Sequence, residues 1–229
     1  MKIENLKPQV TLVDFLGESG PIIASKTCTS TDNIHDIAID MQFDSKLLER
    51  VVKSGHLSVT EFSDFIFAID GFNRATETQF VRHRLSSYAI KSGRYTTVGN
   101  TLYVALPDEL YERPDVKNHL EDSFNLYKKL LSENYKPEDA RLILPQTLAT
   151  QMLVKMNARQ LLHFFQERCC TCAQHQIRNI AEQMLKCCKQ IAPTIFENAG
   201  PKCLDYGYCK ENKKRWCRKM PHKSQFFGE

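Results

Sequence analysis

Apolar and polar residues alternate through VTLVDFLG, residues 10–17, and a period of two predicts a first or edge strand. The period changes at SKLLERVVKS, residues 45–54, where apolar positions return every three or four residues and predict an amphipathic helix stopped by Gly55. EFSDFIFAID, residues 61–70, is rich in aromatic and β-branched side chains and predicts a strand closed by Gly71. NRATETQFV predicts a helix running up to a pair of arginines, and Gly93 and Gly99 mark the next segment as loop. Within residues 115–134, Leu120, Phe124, Tyr127, Leu130 and Leu131 have helical spacing. Pro137 opens a short helix, PEDARLIL, with Glu138 and Asp139 in the first turn, where the helix dipole favours acids.

TLATQMLVKM fits a strand or a helix, and its periodicity does not separate the two. NARQLLHFFQER predicts a helix. Ile177, Ile180, Ala181, Met184, Cys188 and Ile191 predict a longer one, ended at Pro193 or at Ala199-Gly200-Pro201. Strands and helices mix without a regular βα alternation, which favours an α+β fold over a doubly wound sheet. The expectation is a single domain over residues 1–229, with a basic, cysteine-containing tail from about residue 200.

A chain of 229 residues buries about 70% of its unfolded surface, so it needs neither disulfide nor metal to fold. The start, MKIENLKPQV, lacks the apolar centre of a signal peptide, and no apolar run approaches the roughly 20 residues that span a bilayer. A cytoplasmic location without a membrane partner is expected. Nine cysteines in such a chain imply free thiols and not a disulfide framework. The spacings among Cys203, Cys209 and Cys217 match no standard zinc pair, and Cys188 falls on an apolar helix face, so no metal is expected.

The candidate chemistry lies in RHRLSSYAIKSGRY, residues 82–95, where five cationic or potentially cationic side chains stand among serines. Walker, dinucleotide-fold, HExxH and GxSxG signatures are all missing from the chain. Any phosphate would be held by arginines, hydroxyls and backbone amides. On a helix Arg82 and Arg84 diverge by about 200°, whereas on an extended chain they share a side. By themselves these residues suit a solvated basic loop as well as an anion site. Ser92 has no identifiable base beside it, which argues against a nucleophile.

Arg82-His83-Arg84, seven residues, then Ser92-Gly93-Arg94-Tyr95 resembles the signature of the flavin-dependent thymidylate synthases. SGHLSVTEFSDFIFAI is similar to that family's GH-x-S-x-x-E-H segment, with His56, Ser58 and Glu61 in place, and Gln79 also fits. ARLILPQTLATQMLVKMNARQLLHFFQERCCTCAQ resembles a further family region, covering Arg141, Pro145, Asn157, Arg159, Arg168 and Gln174. The resemblance implies a mainly antiparallel sheet flanked by helices and methylation of dUMP to dTMP. Carbon would come from methylene-tetrahydrofolate and electrons from NADPH through bound FAD, in a homotetramer with shared active sites.

Residue by residue, the resemblance implies that Arg82, His83 and Arg84 lie against FAD, with Arg82 also near the nucleotide. Ser58, Asn157, Arg159 and His163 add FAD contacts, and the Ile90 position touches both ligands. Gln79, Lys91, Ser92, Gly93, Arg94 and Arg141 hold dUMP, with Arg94 and Arg141 on the phosphate. Arg168 sits on the uracil edge, stabilising negative charge at N3 and O4 so that the ring carbon becomes nucleophilic. His56, Glu61 and Tyr95 fall near flavin or nucleotide without a defined role. Without the resemblance, His56 is a helix-capping residue, Arg141 and Arg168 are surface arginines, and His163 is a partly buried polar residue.

The sequence departs from the family pattern at Ala89, Ile90, Phe62 and Cys172, where polar or basic residues are usual. Backbone groups would then replace lost contacts, or the nucleotide is a variant pyrimidine. Two competing readings are an inactive or altered-substrate flavin- and nucleotide-binding homologue, and a basic nucleic-acid-binding module. Against the second, aromatic residues are not interleaved with the basic ones, and the net charge is only +4.

Overall fold

The strands are β1 (Lys2–Asn5), β2 (Gln9–Phe15), β3 (Asp64–Asn73), β4 (Ser86–Ile90), β5 (Thr101–Val104) and β6 (Ala149–Asn157) in a computed structural model that describes residues 2–39 and 43–227. The helices of the first half are α1 (Ser19–Thr29), α2 (Ile34–Ile39), α3 (Ser45–Lys53), α4 (Arg74–Phe80), α5 (Asp108–Tyr111) and α6 (Pro114–Ser132). Those of the second half are α7 (Pro137–Ala140), α8 (Ala158–Arg168), α9 (His175–Ile191), α10 (Pro193–Phe196), α11 (Cys203–Tyr206) and α12 (Ser224–Phe227). The class is α+β with an antiparallel sheet, as the sequence predicts. Strands β2, β3, β6 and β4 form one sheet in that order, while β1 and β5 form a separate parallel pair. Among the described residues no helix is long and apolar enough to cross a membrane.

The chain divides into two compact units, Met1–Val10, Ala68–Arg82 and Tyr88–Val154 in one, Thr11–Phe67, His83–Ser87 and Lys155–Glu229 in the other. In the first unit the core is Leu102, Val104, Leu106, Leu120, Phe124, Tyr127 and Ala140. Leu120, Phe124 and Tyr127 are the helical positions anticipated from the sequence, and burying each is worth roughly 1.5–3 kcal/mol. Strand β1, too short to be predicted, is locked to this core by Asn5, whose amide group bonds both the N–H and the C=O of Leu106 at 3.1 Å. In the second unit Phe65, Phe165 and Phe196 meet edge to face, with centroids 5.6 and 5.9 Å apart. Helix α9 buries Ile177, Ile180, Ala181, Met184 and Cys188, the predicted stripe, and ends before Pro193.

Three local expectations change. Residues 57–62 form a 3-10 turn, so the strand begins only at Asp64. TLATQMLVKM resolves to strand, because Thr150, Met152, Val154 and Met156 are buried at every second position of β6. Gly71 does not close β3: the strand runs on to Asn73, and Gly71 sits inside it at φ 67°. A Cβ there would overlap the Lys7 carbonyl, so the glycine marks the close approach of another backbone segment.

Gly71→Ala combines a left-handed φ with that overlap and should destabilise the protein by about 2–3 kcal/mol. Urea unfolding measures this, and an unchanged midpoint would show that the Lys7 segment does not press on the strand.

Candidate active site

The same device launches both helices that carry predicted site residues. Strand β3 ends in Asn73, whose Oδ1 accepts the Thr76 N–H at 2.8 Å and starts α4. Strand β6 ends in Asn157, whose Oδ1 accepts the Gln160 N–H at 2.9 Å and starts α8. Each side-chain oxygen satisfies an N–H that the helix leaves open. Asn157 is expected to touch FAD, and its carboxamide oxygen here serves the helix.

In the second unit the predicted residues gather on and around α8. His83 is buried, 6% exposed, with an exposed arginine on either side of it in the chain. The stretch is not helical, and Arg82 and Arg84 are exposed while His83 between them is buried. Arg168 Nε donates to His83 Nε2 at 3.0 Å, and Gln160 lies 3.3 Å from His83 Nδ1. Burial first, and then the neighbouring Arg168 guanidinium, pushes the imidazole pKa down to about 4. The ring is therefore neutral near pH 7. With Nε2 accepting from Arg168, the ring proton sits on Nδ1, which faces the Gln160 carboxamide.

His163 lies edge-on to His83 with centroids 5.9 Å apart. One turn earlier, Arg159 forms an ion pair with Glu61, drawing the 3-10 turn that bears exposed Ser58 toward α8. His56 precedes that turn, exposed, and no side-chain cap bond from it starts the turn.

The first unit contains a cavity of about 650 Å³, within the usual range for small-ligand sites. Arg74, Lys91 and Arg141 line it, and Glu77 is the single carboxylate on its wall. Arg74 binds Glu77 at 2.6 Å and the Lys91 carbonyl at 3.1 Å, so that carboxylate is already neutralised. Gly93 also lines the cavity, and a Cβ there would come within 3.0 Å of Arg141 Nη1. The glycine lets backbone and guanidinium share one wall.

Lys91, Gly93 and Arg141, which the resemblance assigns to the nucleotide, line this one cavity. Ser92 instead turns its hydroxyl to the Arg94 N–H at 3.2 Å. Arg94 is exposed, paired with Glu138 at 2.9 Å and stacked near Tyr95 at 5.6 Å. Gln79 is half-buried on α4, and Ile90 ends β4 on the same half-buried face as Ser86 and Tyr88. Arg74 is not among the residues predicted from sequence; its place on the cavity wall comes from its bond to a carbonyl 17 residues away. Its only sequence signal is a cation just after a capping asparagine.

The family described as thymidylate synthase complementing protein matches residues 11–194. A flavin-dependent thymidylate synthase of Geobacter sulfurreducens is 35% identical over 219 residues, covering 93% of this chain and 94% of its own. One from Nitratidesulfovibrio vulgaris is 37% identical over 194 residues, covering 80% and 79%. A UMP/dUMP methylase from Streptomyces cacaoi, solved with 5-Br dUMP, shares the fold at a TM-score of 0.73 and 24% identity, over 86% of this chain and 96% of that one.

His83 gives a pH signature. Above about pH 6.5 the ring is neutral whether the chain is folded or not; below it only the unfolded chain takes up the proton, and stability falls until the folded ring titrates near 4. After allowance for solvent screening the loss is about 1–2 kcal/mol. Urea unfolding near pH 7 and near pH 4.5 should show it in the native protein and not in His83→Gln. Equal losses in both would remove His83 as the cause.

Proposed function

The chain belongs to the flavin-dependent thymidylate synthase family and is a flavin-dependent enzyme, and on that premise we propose that it methylates dUMP to dTMP. Methylene-tetrahydrofolate gives the carbon, and NADPH gives the electrons by way of FAD. The observation that carries the nucleotide assignment is the cationic cavity: Arg74, Lys91 and Arg141 around one wall, with its single carboxylate consumed by Arg74. A phosphate monoester supplies the missing negative charge, and arginine binds it bidentately.

The residues expected at FAD suit a dinucleotide. Arg84 and His163 are exposed, and Ser86 Oγ is buried without a hydrogen-bond partner, which leaves a hydroxyl for a ligand oxygen. Arg82, Arg159 and Ser58 add donors of the same kind. When bound, the flavin supplies the redox chemistry. The chain binds, orients and polarises. Arg168, its direction fixed by His83, is assigned to the uracil edge, where a permanent positive charge would stabilise electron density at N3 and O4. His83, neutral, acts as its acceptor and not as an acid.

The working form is a homotetramer in the cytoplasm, each chain acting as one catalytic domain and contributing to shared sites. Its partners are small molecules and copies of itself, neither nucleic acid nor a membrane.

Purified protein should be yellow, bleach with NADPH and bleach faster with dUMP present. Arg141→Ala should raise the KM for dUMP about 10–100-fold by removing a charge-assisted phosphate contact. Arg168→Ala should instead lower kcat about 100-fold. A colourless protein that shifts DNA with strong salt dependence would overturn the proposal.

A further inference from the structure

Outside the cavity and the α8 cluster, the second unit gathers most of its cysteines in one place. The segment after α8 and the C-terminal tail together wall a cavity of about 380 Å³, lined by Cys170, Cys172, Cys203, Cys209, Cys217 and Glu211. The Sγ atoms of Cys170 and Cys172 and a carboxylate oxygen of Glu211 all lie within 4.8 Å of one another. All nine cysteines are free thiols. We propose that this cluster is a structural zinc site: Cys170, Cys172 and Glu211 supply three ligands, and a tail thiol completes the tetrahedron.

Ligand chemistry favours this ion. Two or three thiolates with a carboxylate are soft enough for zinc and poor ligands for magnesium or calcium. Lys202, Lys210, Arg215 and Lys219 line the same cavity and offset the charge of a thiolate-rich site. Cys169 and Cys188 are buried and are not among the clustered ligand atoms.

The tail also needs such a tie. Across residues 203–227 only Cys209 and His222 are buried. The segment is held by a handful of bonds: Cys209 N–H to the Pro221 carbonyl at 2.6 Å, Trp216 Nε1 to the Met220 carbonyl at 2.7 Å, and His222 Nε2 with the Glu211 carbonyl at 2.8 Å. So small a loop-rich segment has too little core to hold its shape, and a metal supplies the order. It would also fasten the tail two residues beyond Arg168, at the end of α8.

Untagged protein, grown in zinc-supplemented medium, should carry about one zinc per chain by elemental analysis. Stripped with a chelator and refilled with Co(II), it should show a thiolate-to-cobalt charge-transfer band in the near ultraviolet. Stripping should speed tryptic cleavage after Lys210, Lys213 and Lys214 on the order of tenfold. The double variant Cys170→Ser, Cys172→Ser should lose metal and band, while Cys28→Ser, on α1, keeps both. Glu211→Gln is milder and tests a folded protein; loss of a ligand should weaken zinc by at least about tenfold with an unchanged circular dichroism spectrum. Sub-stoichiometric zinc without a cobalt band, full metal retention in the double variant, or a disulfide between these cysteines would each overturn the proposal.

Discussion

Arg168 holds its guanidinium where it is because a buried, neutral imidazole accepts its Nε hydrogen at 3.0 Å. That contact requires His83 to be uncharged, and burial beside the Arg168 guanidinium keeps it so. Two donors facing each other would repel, so protonating the ring would release the arginine as well as cost stability. The alternation along Arg82, His83 and Arg84 follows from the same constraint. The middle residue is committed to the interior, and its two neighbours are exposed. The charge excess of this stretch is therefore divided between a buried structural residue and exposed arginines.

Helices α4 and α8 begin in the same way, with an asparagine that ends a central strand and caps the next helix. Strands β3 and β6 are neighbours in the sheet, so the same junction occurs on adjacent strands. Junctions of this kind fix where a helix starts, and so which turn carries a given side chain. On α8 that places Arg159 and His163 one turn apart. The family resemblance marks Asn157 as a ligand contact; its local physics explains the residue type without one.

The cavity of the first unit shows how a binding wall is assembled from distant pieces. Lys91 and Gly93 come from the loop after β4, Arg141 from the turn after α7, and Arg74 from the start of α4. Glu77 tempers one of these cations and leaves the others facing the cavity. Arg94, in the same signature, is occupied by Glu138.

Much of this was legible in the chain itself. Period and capping signals placed α3, α6, α8 and α9 to within a few residues, since an amphipathic stripe is a local property that any core would use. The spaced motifs around Arg82, Arg141 and Arg168 pointed to the flavin-dependent family, because their order survives without knowledge of the fold. Strands β1 and β5 were not legible: four residues each, they form only because they find each other across about 100 residues of chain. Gly71 reads locally as a stop, since nothing near it in the chain reveals that the Lys7 backbone presses against it. The cysteines show the same limit. Their spacings match no local metal motif, and only the folding of the tail against the end of α8 brings Cys170 and Cys172 to Glu211. Sequence settles what depends on neighbours along the chain, whereas proximity between distant segments is decided by which burial the whole fold can satisfy at once.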